Sequence, residues 1–458
     1  MPVRKTTISA AELAKLGAHR LAEILVERAA GDAVLERRLR LLLGAADPAR
    51  LVAEVGRRIQ QMARARSQMD FEQAKAAARE VADLHRTIVD DLAPARPADA
   101  VDGLWKLLGL APALLDRVDH GGDRIGAAVA AAVVDLGRLT AALPDVDPEG
   151  LARRVAAAID GDRTMATDGL LAAMADALGR EGRTVMREDA LAALDLLPTD
   201  DAGWQTRGLR YGLVARLLEL ADIEDDVDAY AAAAAAGGSP ELHSAEVARR
   251  LLAAGRAAEG LGWIDRHPPR LDPDAAVDLR LDLLTALGRR AEAQALCRGH
   301  FERTLSARHL RAYLKSLPDF EDFAAEQQAL DHVMASRSTA QALDFLVSWP
   351  DLDRAARLAA ERLPALGLGD VQAMLHSAEA LAARHPEASL HLRRRVAVLV
   401  LESGASSAYA DAALALVDAG QSAVRVAGSV EPHAAFVEAL RRDHRRKWRF
   451  WQLYDEAG

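Results

Sequence analysis

Short amphipathic stretches rich in Ala, Leu and Arg follow one another along almost the whole of this chain. Each is cut by Gly, Pro or a capping Asp or Ser. Apolar residues recur at the spacing of one helix face. Half the residues are hydrophobic (50%), yet only 4% are aromatic, so the core is built from small side chains at close helix–helix contacts. These features predict an all-α fold. One helix pair cannot bury its own apolar face. Stacked pairs share a continuous core, and a small rotation per repeat curves the surface. Ala and Gly at the crossings let helix axes approach, and a polar or basic last helix must cap the open end. The expected architecture is a right-handed solenoid of stacked helix pairs.

The formal charge of −10 over 458 residues argues against bulk nucleic-acid binding, which uses a strongly basic face. Cys297 is the only cysteine, so neither an intrachain disulfide nor a multi-cysteine zinc site can form. It lies on an apolar helix face in AEAQALCRGHF and reads as a buried structural thiol. The start, MPVRKTTISAAELAKLG, has no apolar h-region. The apolar run IGAAVAAAVVDLG ends at Asp135, short of the roughly 18 residues a membrane span requires. A cytoplasmic protein is expected.

Along the chain, Ser9 and Glu12 form a capping box. The helix AHRLAEILVERAAG follows, then DAVLERRLRLLLG. Asp47-Pro48 starts the next helix, with Asp as cap and Pro at the first helical position. From Asp70 to Leu92 one long helix is predicted, with Phe71, Ala78, Val81, Leu84, Ile88 and Leu92 near one face. AVDGLWKLLGL and APALLDRV form the next pair, and a helix through Val134 and Leu139 follows. GLLAAMADALG and REDALAALDLLP read as two short helices. A boundary near Thr199-Asp200 separates an irregular helical region, 1–199, from more evenly paired helices, 200–458.

Repeats emerge in that second region. ELHSAEVARRLLAAGRAAEGLGWI and DAAVDLRLDLLTALGRRAEAQALC share a helix, Gly-Arg, helix scheme, with Gly255 and Gly288 33 residues apart. That period is close to the tetratricopeptide one. Trp204, Gly208 and Tyr211 also have its Trp/Gly/Tyr spacing, although Arg207 stands where leucine is expected. The repeats therefore resemble degenerate tetratricopeptide units.

No catalytic, cofactor-binding or metal-binding motif is present. The acidic run Asp222, Glu224, Asp225, Asp226 and Asp228 fails the EF-hand pattern, with Val227 at position six and Ala233 at position twelve. These acids fit the start of the alanine-rich helix after them. DHGGD, with Asp119, His120 and Asp123, reads as a tight turn. His300 and His309 bracket FERTLSAR, while His19 and His85 sit inside helices; none has HExxH spacing. The end, FVEALRRDHRRKWRFWQLYDE, interleaves Arg441, Arg442, Arg445, Arg446, Lys447 and Arg449 with Trp448, Phe450, Trp451 and Tyr454. Such a mixture suits single-stranded nucleic acid. The favoured alternative is a capping helix that packs through Phe436, Leu440, Trp448, Trp451 and Leu453.

ISAAELAKLGAHRLAEILVERA, RVDHGGDRIGAAVA and the terminal segment together resemble an uncharacterised family of bacterial all-helical proteins. They also resemble the helical region that accompanies SWIM zinc fingers. The finger itself cannot be here, because its ligands need several cysteines. The resemblance implies a helical repeat fold and carries over no catalytic residue.

The expected function is a non-catalytic scaffold or adaptor that holds a protein or peptide partner. Trp204, Tyr211, Arg249, Arg250, Arg280 and Arg311, on first helices of the pairs, are its candidate groove residues. The alternative is nucleic-acid association through Arg441, Arg442, Arg445, Arg446, Lys447, Trp448, Arg449 and Trp451.

Overall fold

The computed structural model describes residues 13–31, 36, 39, 47–118, 122–162, 164–198, 203–426 and 431–458. Among them every regular element is a helix, and the one β-type contact is an isolated parallel bridge between Met69 and Val118. The Ser9/Glu12 capping box, most of DAVLERRLRLLLG, Asp119 and His120 of the DHGGD turn, and the Thr199-Asp200 boundary lie outside the described residues. The chain divides into two compact units, Met1–Arg250 and Leu251–Gly458.

The first unit begins with α1 (Ala18–Ala29) and α2 (Pro48–Arg64). Asp47 caps α2 by accepting from the amides of Ala49 and Arg50, as the Asp-Pro start predicts. Asp70 and Gln73 form a reciprocal capping box on α3 (Phe71–Arg86), which runs on as a π-helical turn through Thr87–Leu92. The predicted 71–92 stretch is thus helical throughout. Ala78, Val81, Leu84, Ile88 and Leu92 are buried along it, while Phe71 at the outer end is exposed.

Five more helices complete the core: α4 (Pro97–Leu108), α5 (Ala111–Leu115), α6 (Gly122–Ala141), α7 (Pro148–Gly161) and α8 (Leu170–Asp195). The two helices expected from Leu170 onward are both present within α8, the second starting at Arg180, earlier than the expected Arg187. Gly179, at φ 57° and ψ −169°, breaks the helix inside it. α6 packs against α3, α4, α5 and α8, and α8 against α6 and α7. At the α6–α8 crossing Gly137 is buried; a Cβ there would lie 1.9 Å from the carbonyl oxygen of Ala173. Only hydrogen fits at this approach, so the small-residue crossing inferred from composition is present. Beyond α8 come α9 (Trp204–Ile223), which packs on it, α10 (Val227–Ala236) and α11 (Ser244–Ala253).

The second unit is more regular. It contains α12 (Ala257–Arg266), α13 (Pro273–Ala286), α14 (Arg290–Thr304), α15 (Ala307–Ser316), α16 (Glu321–Ala335) and α17 (Thr339–Ser348). It continues with α18 (Leu352–Arg362), α19 (Val371–Leu381), α20 (Pro386–Ser403), α21 (Tyr409–Val424), α22 (His433–Asp443) and α23 (Trp448–Ala457). From α12 to α22 each helix packs on its successor, and α23 packs on α21. This is the all-α stack of neighbouring helices expected of a helical repeat.

The repeated turns share one hydrogen-bond plan. Gly255 (φ 75°) donates to the Leu252 carbonyl, and Arg256 to that of Leu251. One period later Gly288 (φ 66°) donates to Thr285, and Arg289 to Leu284. Each is a helix C-terminal motif that needs a left-handed residue, the conformation glycine adopts without a Cβ clash. The following arginine then makes two hydrogen bonds to the glutamate three residues on. Arg256 to Glu259 spans 2.7 Å twice, and Arg289 to Glu292 spans 2.5 and 2.6 Å. The Gly-Arg-x-x-Glu sequence is therefore a structural repeat as well as a textual one.

Candidate functional site

In the first unit, α9 changes character halfway along. Val214, Leu217, Leu218, Leu220 and Ala221 in its second half are buried. In its first half Trp204, Leu209 and Tyr211 are 76%, 61% and 66% exposed. At 100° per residue Trp204, Arg207, Gly208 and Tyr211 share one face. The Trp/Gly/Tyr spacing thus faces solvent and builds no repeat core. Arg207, where leucine was expected, suits an open face.

Beside this face lies a cleft of about 710 Å³, whose lining includes Arg207, Arg210, Tyr211, Val214, Leu242 and His243. Among the described residues no carboxylate lines it. Arg210 is held by the carbonyls of Leu197 and Pro198 at 3.4 and 2.9 Å. Gly237 and Gly238, after α10, form part of the wall; Gly238 has φ 76°. The result is an electropositive, partly apolar cleft on a chain of net charge −10.

The other groove candidates are engaged within the chain. Arg250 stacks 3.9 Å from the Tyr230 ring centroid and donates to both carboxylate oxygens of Asp222, at 2.7 and 2.9 Å. Arg249 pairs with Glu246, and Arg280 with Asp265. Arg311 lies 4.8 Å from the centroid of Trp349. Trp204, Tyr211, Arg249 and Arg250 belong to the first unit, Arg280 and Arg311 to the second. The acidic run divides among several duties. Asp222 receives Arg250, Glu224 receives Arg183 and Arg187, and Asp226 caps α10 at the Ala229 amide. Asp226, with Asp228 in the first turn, takes the helix-terminus role the sequence suggested for the whole run, while Asp222 and Glu224 pair with arginines of other helices instead.

A constellation that no linear motif announces lies in the second unit. Asp274 opens α13, His300 is near the end of α14, and His309 is in the first turn of α15. One ligand atom from each lies within 4.8 Å of the others. Asp274 Oδ1 is 2.5 Å from His300 Nε2, and the two imidazole centroids are 4.4 Å apart. Both histidines are buried, whereas Asp274 is half exposed. Ser306 Oγ is 2.8 Å from His309 Nδ1 and donates at 3.5 Å to Asp274 Oδ2. His309 Nε2 has no hydrogen-bond partner and lies 3.3 Å from the Asp278 carboxylate. The hydrogen bond from His300 holds the Asp274 carboxyl below its usual range. Burial, then the neighbouring His300, lowers the pKa of His309. The cluster thus presents a carboxylate beside a neutral imidazole. Ser306, His309 and Asp278 do not make a nucleophile triad, because Asp278 also pairs with Arg308 and does not hydrogen-bond His309. Cys297, on the same helix as His300, is buried, and burial pushes its thiol pKa up. It is the inert structural thiol expected.

The basic–aromatic end forms two helices, α22 and α23, with a break over His444–Lys447. Phe450 and Trp451 are buried; Phe450 meets Tyr409 edge-on at 5.7 Å. Trp451 Nε1 donates to the His444 carbonyl at 3.1 Å. Arg441 sits 4.8 Å from the Trp451 ring and pairs with Asp455. Trp448, expected to pack, is 69% exposed instead, and Phe450 fills the core. The reason is phase. The break restarts the helix at Trp448, so the spacing read across from Phe436 and Leu440 does not carry through.

Among the described residues no helix is long and apolar enough to cross a membrane. No curated protein matches the chain. A solved structure described as a circular tandem repeat protein with novel repeat topology and enhanced subunit contact surfaces aligns with it at 15% identity. The alignment covers 95% of this chain and 94% of that one, at a TM-score of 0.18. A family model described as a family of unknown function, DUF6880, matches residues 3–453, and that description carries no SWIM association. The chain therefore belongs to the DUF6880 family, whose function is unknown.

Proposed function

We propose that this chain is a non-catalytic helical-repeat scaffold, and that the cleft beside α9 docks an acidic, amphipathic segment of a partner protein. The observation that carries this reading is the uncovered first half of α9. Trp204, Leu209 and Tyr211 stand exposed next to a cleft lined by Arg207, Arg210 and His243 and, among the described residues, by no carboxylate. Exposed aromatics beside arginines have the composition of interface hot spots. Apolar anchors on the partner meet Tyr211 and Leu242, while its carboxylates meet the arginines. The site carries the reading, since a repeat fold by itself implies no single function.

Selection from a random peptide library tests it. Acidic peptides with aromatic or aliphatic anchors are expected to be enriched. Tyr211→Ala is expected to weaken a selected peptide roughly tenfold or more, the scale of a hot-spot truncation. Arg207→Glu should weaken it further at low salt than at high salt. Both side chains are exposed, so the fold should survive each change. Neutral or basic selected peptides, or affinities untouched by both substitutions, would sink the proposal.

One observation favours a second reading, single-stranded nucleic acid at the C-terminal end. Trp448 is exposed between Arg445, Arg446 and Arg449, which have no ion-pair partner among the described residues. That reading predicts binding that falls steeply with salt. It should be abolished when Arg445, Arg446 and Lys447 are replaced by Glu. Burial of Phe450 and Trp451 and the pairing of Arg441 leave it fewer stacking and phosphate contacts than the sequence offers, so the scaffold reading ranks first.

A further inference from the structure

We propose that Asp274, His300 and His309 bind a divalent transition-metal ion of the zinc class, which clips together three successive helices. The three side chains come from α13, α14 and α15, and their ligand atoms already lie within 4.8 Å of one another. Two imidazoles and one carboxylate form a donor set that zinc takes. Imidazole nitrogen selects zinc, copper or nickel over magnesium and calcium, which prefer all-oxygen shells.

The arrangement is more than a group of exposed polar residues. His300 and His309 are almost wholly buried, at 3% and 1% side-chain exposure, and they meet inside the stack. His309 Nε2 is buried without a hydrogen-bond partner, an arrangement that ordinarily costs stability. Ser306 bridges His309 and Asp274 and orients both, as outer-shell groups do around metal ligands. Asp278, 3.3 Å from His309, adds a second carboxylate at the margin and is balanced by Arg308.

The movement required is small. Tetrahedral zinc, with bonds of about 2.1 Å, sets its ligands roughly 3.4 Å apart. The Asp274–His300 pair, now at 2.5 Å, opens by under about 1 Å, and His309 closes toward it. Asp274 is half exposed, so the ion is reached from that side and water completes the shell. Three ligands on three helices make the ion a cross-link, so affinity for the metal becomes stability of the stack.

The test titrates chelator-stripped, full-length protein with zinc chloride by calorimetry, and with cobalt(II) by visible absorption. About one zinc per chain is expected, with a tetrahedral cobalt spectrum and a melting temperature that rises with zinc and falls again with EDTA. Asp274→Asn and His300→Gln should each weaken the binding at least about tenfold, the minimum expected for a ligand when outer-shell changes alone reach that scale. Asp274 is half exposed, so its variant is expected to fold and decides the matter if His300→Gln does not. Parent protein that takes up no zinc overturns the proposal. Equal overturn comes from zinc binding that a folded Asp274→Asn variant retains in full, which would place the ion on other histidines.

Discussion

Phe450→Ala is expected to destabilise the second unit by about 3–5 kcal/mol, the cost of emptying a fully buried phenylalanine site. Phe450 has no exposed surface and sits between Tyr409, at 5.7 Å, and Trp451, at 5.0 Å. Its loss removes the wedge that fixes α23 against α21. Trp448→Ala, two residues away, should stay within about 0.5 kcal/mol, because that ring is 69% exposed. The comparison is sharp because the sequence alone ranks the two residues in the opposite order. Urea or guanidinium midpoints for the two variants check it. Equal losses, or a larger loss at Trp448, would mean that α23 packs through another face.

Gly137→Ala should destabilise the first unit by about 1–3 kcal/mol, even though alanine is the better helix former. In an open helical position the same exchange stabilises by roughly 0.5–1 kcal/mol. At Gly137 the new Cβ would meet the backbone oxygen of Ala173 at 1.9 Å, and backbone cannot swing aside as a flexible side-chain tip can. Steric overlap therefore wins over propensity, and α6 must move off α8. Gly126, on the same helix, has nothing within 4 Å of its notional Cβ. Gly126→Ala is the matched control and should stabilise. If both variants shift the thermal midpoint upward, the close crossing of α6 and α8 is wrong.

Local chemistry made much of this readable in advance. Asp47-Pro48 starts α2, and the stretch from Phe71 to Leu92 is helical as its periodicity predicts. Gly255 and Gly288 mark turns of one design, because a left-handed residue, a helix end and an arginine reaching its i+3 glutamate are all local. The burial of Cys297 follows from helical periodicity. Where helices restart, that periodicity loses its phase. The break before Trp448 hid which aromatic packs.

The candidate sites were less legible. Trp204 and Tyr211 were singled out from their spacing, but only the packed second half of α9 shows that the first half is left uncovered. His300 and His309 were noted and set aside, since eight residues between them match no ligand motif. Asp274, 26 positions before His300, carried no signal at all. Sequence by itself determined that this chain is helical, where many of its helices are capped, and that its second half repeats, because those properties depend on residues within a turn or two of one another. Tertiary structure decided which aromatics are buried, which arginines are paired, and that an aspartate and two histidines meet, because helix packing joins residues whose spacing along the chain obeys no local period.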